Sequence, residues 1–287
     1  MGRRLCYLYG NESLVMQKKA LEISLYVVGA GAFAVFLRWL QDQLAFNELG
    51  LADRSVFHAL LLVFLTAAAY VFLRFLNKFR ESSQYLPPDF ASALRNEGLL
   101  FQIARVALGV LMCLGAILLF SASEIDKYVG MQRVLAGLGL LSGISYPLLL
   151  GEANKERQNP RVLCLLAMMP VLMFAMWLLV SYRENSINSV AWAYAVDIFT
   201  PIAAMIAFFR MAGFAFGTPD ARRSMFGAMF GAVMCMMALA DERYMGMQLM
   251  LAAAAGMLVL YNWIMISNLR QGKVREKRRT HDGFERL

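Results

Sequence analysis

Histidine is almost missing from this chain, with two in 287 residues, His58 and His281. That excludes a His-Glu-x-x-His zinc site and haem held between two facing histidines. Cysteine is scarce too, four in all, with no Cys-x-x-Cys pair and none placed for a disulfide on an outer face. A disulfide-stapled secreted scaffold is therefore ruled out. There is no Gly-x-Ser-x-Gly elbow and no Gly-x-x-x-x-Gly-Lys loop. Charge is thin: 17% of residues are Asp, Glu, Lys or Arg, against about 25% in soluble domains. Long polar segments that might fold as a separate catalytic or receptor domain are lacking as well.

What is present is apolar: 60% of residues by the AVILMFWYC count, with a mean hydropathy of +0.54. One soluble core cannot hide that much apolar surface, and disorder is incompatible with it. Runs of roughly 20 apolar residues suit membrane helices. Eight are expected, at 20–40, 56–76, 99–120, 132–150, 162–182, 189–209, 225–240 and 246–267. No stretch alternates in polarity, so a membrane barrel is rejected. The expected architecture is an all-α, polytopic bundle of about eight spans. It comprises an N-terminal segment 1–19, a transmembrane domain 20–267 and a basic tail 268–287.

Lys and Arg fix the expected orientation. With the N-terminus in the cytoplasm, most of the 28 basic residues fall in inner segments. Only Arg38, Arg54, Lys127, Arg133, Arg183 and Arg243 fall at outer ones. Both termini are thus expected inside, in the plasma membrane. The net +8 is read as topology. The tail run holding Lys273, Arg275, Lys277, Arg278 and Arg279 suits anionic inner-leaflet lipid, at about 1 kcal/mol per residue near the surface. No aromatic platform accompanies it, so nucleic acid is not expected as a partner. A homo-oligomer or a membrane partner subunit remains open.

Met1–Lys19 has no apolar core or cleavage site of a signal peptide, so span one is expected to act as an anchor. Cys6 stands where a myristoylation start wants Ser or Thr. Asn11-Glu12-Ser13 is a glycosylation triplet on the cytoplasmic side and is expected to be silent. Pro87-Pro88 marks an extended turn, with a short surface helix expected at 89–96. Val35–Gln41 is echoed loosely by Val71–Asn77, a similarity of common residue types.

The stretch Arg38-Trp39-Leu40-Gln41, followed by Ala45-Phe46 and Gly50-Leu51, resembles the first-span exit and loop of uncharacterised eight-pass proteins of anaerobic gut bacteria. It departs from them at Leu49, where such loops usually hold Thr. The resemblance implies a multi-pass bacterial membrane protein. It carries no activity and no functional residue.

Asp197 is the leading candidate for chemistry. It is expected roughly 12 Å into span six, near the midplane, where an unpaired carboxylate costs about 2.5–3.5 kcal/mol. Pro201 removes the helical donor to the Asp197 carbonyl. Asp197, Thr200 and Pro201 are thus candidates for a cation or proton site at a kink. The competing reading is a structural Asp bonded to Tyr, Ser or Arg on a neighbour. Arg105, Gln102 and Glu22 are possible polar partners. His58 is expected at an interface. The 20 methionines crowd the second half; thioethers suit Cu(I), but Met also fills irregular packing, and no cofactor is expected. Gly139-x-x-x-Gly143, Gly227-x-x-x-Gly231 and Ala252-x-x-x-Gly256 allow close helix approach, within this chain or with a partner.

Three functions follow from these residues. The first is a small cation- or proton-coupled transporter using Asp197. The alternative is a non-enzymatic membrane subunit, sensor or assembly factor acting through lipid or protein partners. The third, an intramembrane lipid enzyme, would need two converging polar groups, and the chain is expected not to be an enzyme.

Overall fold

The computed structural model describes residues 2–45, 55–78, 90–96, 98–122, 129–155, 158–185 and 191–269. Among them there are helices and no strands. The long helices are α1 (Gly2–Leu44), α2 (Ser55–Lys78), α4 (Leu99–Ala122), α5 (Val129–Glu152), α6 (Pro160–Asn185), α7 (Ala191–Ala215), α8 (Ala221–Met237) and α9 (Met245–Ser267), with a short α3 (Phe90–Leu94). All eight long helices have apolar segments of spanning length. Leu, Ala and Met favour helix, and lipid forces each backbone N–H and C=O to be satisfied within its own segment. The protein is a multi-pass, all-α integral membrane protein. Its outward apolar side chains fit that setting: Leu100 is 75% exposed and Val56 70%, a surface that water would not tolerate over so wide an area.

Helices α4 to α9 pack in sequence, and α9 returns to α4 to close a six-helix ring. The ring is filled by Tyr146, Trp177, Phe174, Phe208 and Tyr261, all fully buried. Phe174 stacks on both Trp177 and Phe208. The Tyr146 hydroxyl donates to the Met257 carbonyl at 2.7 Å, and Ser224 and Tyr261 share a hydrogen bond of 2.7 Å. Helix α1 lies outside the ring against α8 and α9; α2 lies outside again, against α1 and α8.

Glycines bring the ring together. A Cβ at Gly109 would meet the Gly143 carbonyl at 2.5 Å, and one at Gly246 would meet the Leu119 nitrogen at 2.5 Å. Gly227 and Gly231 face Ala207 across the α7–α8 contact, and Gly256 faces Leu108. The small-residue motifs therefore seat the chain's own spans. The methionines are mostly core: Met173, Met225, Met229, Met250, Met257 and Met265 are buried. Met236 reaches into the groove left by Gly31 on α1.

Two elements differ from the sequence-based expectation. Helix α7 runs to Ala215, six residues beyond the expected end at 209. Arg210 ends the apolar run but does not end the helix. The stop signal lies later: Gly217 takes the left-handed conformation (φ 74°), and Thr218 N–H returns to the Gly213 carbonyl at 2.9 Å. Pro219 and the N-cap Asp220, which accepts from Arg223 N–H at 3.1 Å, then start α8. Second, α3 is tucked under the bundle, not spread on its surface. Phe90, Ala93 and Leu94 are buried, and Asn268 Nδ2 donates to the carbonyls of Ala93 (2.8 Å) and Arg95 (3.0 Å). Asn96 and Asn154 exchange reciprocal hydrogen bonds of 3.0 and 2.9 Å beside it. These contacts lie at the end of the bundle where α1 begins and α9 ends, hereafter the termini end.

Candidate functional site

A cleft of ≈ 920 Å³ runs along the bundle between α2 on one side and α7 and α8 on the other. Its middle is apolar, lined by Leu61, Leu65, Ile202, Ala203, Ile206 and Phe230 among others. Phe226 and Phe230, one turn apart, stack in parallel along the α8 wall. From Val196 to Arg210 the α7 wall is ~21 Å long at 1.5 Å per residue. That is about two-thirds of a ~30 Å hydrocarbon core.

Polar groups close each end. At the far end stand Arg38, Gln41 and His58, all buried. At the termini end stand Arg210, Asp220, Arg222 and Arg223. The tight α7–α8 turn described above brings Arg210, from the last turns of one helix, and Arg222, from the first turn of the next, to the lining of the same cleft.

The far end is charge-balanced. Arg38 Nε donates to Asp241 Oδ1 at 2.6 Å, and its Nη1 to Gln41 Oε1 at 2.9 Å. Arg243 Nη2 donates to Asp241 Oδ2 at 2.8 Å and also to Asp197 Oδ1. The order Arg38–Asp241–Arg243–Asp197 alternates in sign and ties α1, α7 and the α8–α9 connection together. Burial of these groups is tolerable only because each has its opposite beside it. Gln248 Nε2 donates to the Asp241 carbonyl at 3.4 Å and joins α9 to the same point.

Asp197 thus has an arginine partner, Arg243, which lies in the connection following α8. It is the seventh residue of α7, ~9 Å from the helix start. It lies nearer the far end than the expected midplane position, because α7 begins two residues later and ends six later than expected. Thr200 Oγ1, one turn on, donates to the Met234 carbonyl of α8 at 3.3 Å. Pro201 lies inside α7 as expected.

The other polar candidates are not brought to Asp197. Arg105 and Gln102 are near the start of α4, at the opposite end of the bundle. They line a pocket of ≈ 10 Å³ with Asn96 and Phe101, room for about one water. The Arg105 Nε is buried with no hydrogen-bond partner there; Gly151 of α5 leaves space for its guanidinium. Glu22 is exposed on α1. The tail candidates Lys273, Arg275, Lys277, Arg278 and Arg279 lie outside the described residues. No group of three His, Cys, Asp or Glu is placed to hold a metal among the described residues.

Sequence reasoning missed the cleft and the roles of Arg38, Asp241, Arg243 and Arg210. A signal for the far-end network was present. Arg38 interrupts an apolar run at the end of span one, and Asp241 and Arg243 follow span seven. An even number of crossings between them puts all three at one end.

No protein-family model, no curated protein and no solved structure matches this chain.

Proposed function

We propose that the protein takes up an amphipathic lipid from the bilayer in the cleft between α2 and α7–α8. On this reading it works as a non-enzymatic membrane subunit or sensor of the plasma membrane. The observation that carries the reading is the cleft itself: a channel of ≈ 920 Å³ whose described lining is apolar in the middle and polar at its two ends. Its volume suits a bound small molecule, and its position within the spans makes lipid its immediate neighbour. An apolar middle holds a hydrocarbon chain and repels a polar head group. That favours retention of the ligand over passage of its head across the membrane. Among the described residues the lining offers no pair of converging acid and base groups for lipid chemistry.

The test is a photoreactive benzoylphenylalanine in place of Phe230, on the α8 wall behind α2. Irradiation in membranes is expected to yield a lipid adduct, and Leu65→Trp, which fills the cleft from α2, is expected to suppress it. An adduct unchanged by Leu65→Trp, or no adduct at all, contradicts the reading.

One observation favours transport as a second reading: the Asp197–Arg243 pair adjoins the network that closes the far end of the cleft. With two guanidinium groups and two carboxylates in that network, a bound metal cation would face two positive charges. Coupling to a proton at Asp197 suits the network better than coupling to a cation. On this reading the melting temperature of the wild type shifts with pH where that of Asp197→Asn does not. Identical pH profiles remove it.

A further inference from the structure

The two ends of the cleft differ in charge. At the far end Arg38 is held by Asp241. At the termini end three arginines face one carboxylate. Arg223 pairs with Asp220 at 3.2 Å. Arg222 donates to the neutral Asn77 side chain and keeps its charge uncompensated. Arg210 is half-buried and makes no hydrogen bond or ion pair among the described residues. Two guanidinium groups thus stand at the mouth of an apolar groove with no carboxylate paired to them among the described residues, the one carboxylate there, Asp220, being taken by Arg223. Arginine binds phosphate through paired, parallel hydrogen bonds. Snorkelling alone accounts for one interfacial arginine; it does not account for two converging, from consecutive helices, on one groove.

We infer that the cleft selects an anionic phospholipid, its phosphate between Arg210 and Arg222 and an acyl chain running past Phe226 and Phe230 toward His58. This rests on the lipid-binding reading above and adds the head-group class, the direction of the chain, and the leaflet, which is the one at the termini end. A zwitterionic lipid would bring its own cation toward the arginines and gain less.

The test uses the full chain, reconstituted with equal amounts of phosphatidylglycerol and phosphatidylcholine, released gently and read by native mass spectrometry. The wild type is expected to retain phosphatidylglycerol over phosphatidylcholine by about thirtyfold, the size set by two near-surface arginines. Arg210→Gln breaks no bond of the folded protein and is expected to lower that preference by about fivefold while lipid is still retained. Arg222→Gln is expected to do the same; Arg222→Lys, which keeps the charge, retains most of the preference. Arg161→Gln removes an equal charge at the same end, away from the cleft, and is expected to change nothing. Leu65→Trp is expected to lose lipid of both kinds. A preference that survives Arg210→Gln with Arg222→Gln, or that Arg161→Gln abolishes equally, overturns the head-group assignment and leaves the cleft reading standing. Leu65→Trp retaining as much lipid as the wild type overturns both.

Discussion

Asp241 accepts from two arginines and Asp197 from one. Loss of Asp241 leaves both Arg38 and Arg243 without their central anion, in a setting where Arg38 is 4% and Asp241 12% exposed. Breaking a buried pair from one side costs about 3–5 kcal/mol. Asp197 is 27% exposed, and Arg243 keeps Asp241 when it is gone. Asp241→Asn is therefore expected to lower the melting temperature in detergent far more than Asp197→Asn, whose cost is about 1 kcal/mol. Equal losses would mean the network is not organised around Asp241. At this scale the sequence was half-legible. An aspartate and several arginines inside or beside apolar runs announce themselves by their cost in lipid. Their pairing does not. Arg38 and Asp241 are 203 residues apart, and only the packing of α1 against α8 joins them.

Helix positions were legible because hydropathy and length alone decide them in lipid. Boundaries were less so. Arg210 ended the apolar window for span six, yet arginine is a good helix former. Gly217, Pro219 and the Asp220 cap were the true punctuation, and reading them would have given α7 its last six residues. The glycine motifs were visible as motifs, but their partners were not. That Gly246 lies against α4 while Gly137 faces open space follows from the ring order. Gly246→Ala would put a methyl group 2.5 Å from a backbone nitrogen of α4, a clash that no side-chain rotation relieves. It is expected to destabilise by about 1–3 kcal/mol. Gly137→Ala meets nothing within 4 Å and is expected to stabilise α5 by about 0.5–1 kcal/mol. Thermal melts of the two variants check the ring order; a harmless Gly246→Ala would contradict the α4–α9 contact.

Among the described residues the long helices form a closed ring of six with two outside it, and the cleft lies between the outermost helix and the ring. This was not legible in the sequence. Thr66, Tyr70, Arg74 and Asn77 fall at helical spacing along one exposed side of α2, but nothing among its apolar residues tells which pack against a neighbour and which border a cleft. Cleft volume is a property of how α1, α2, α7 and α8 lean on one another, and no single segment records it. The arginines of the termini end were visible, but as topology; only the cleft beside them gives Arg210 and Arg222 a shared object. The most direct measurement is an experimental structure in nanodiscs of phosphatidylglycerol and phosphatidylcholine, with attention to the space between α2 and α7. One elongated density is expected there, its head beside Arg210 and Arg222 and its tail between Leu65 and Phe230. Helix α2 packed directly onto α7, with the cleft closed, would contradict it.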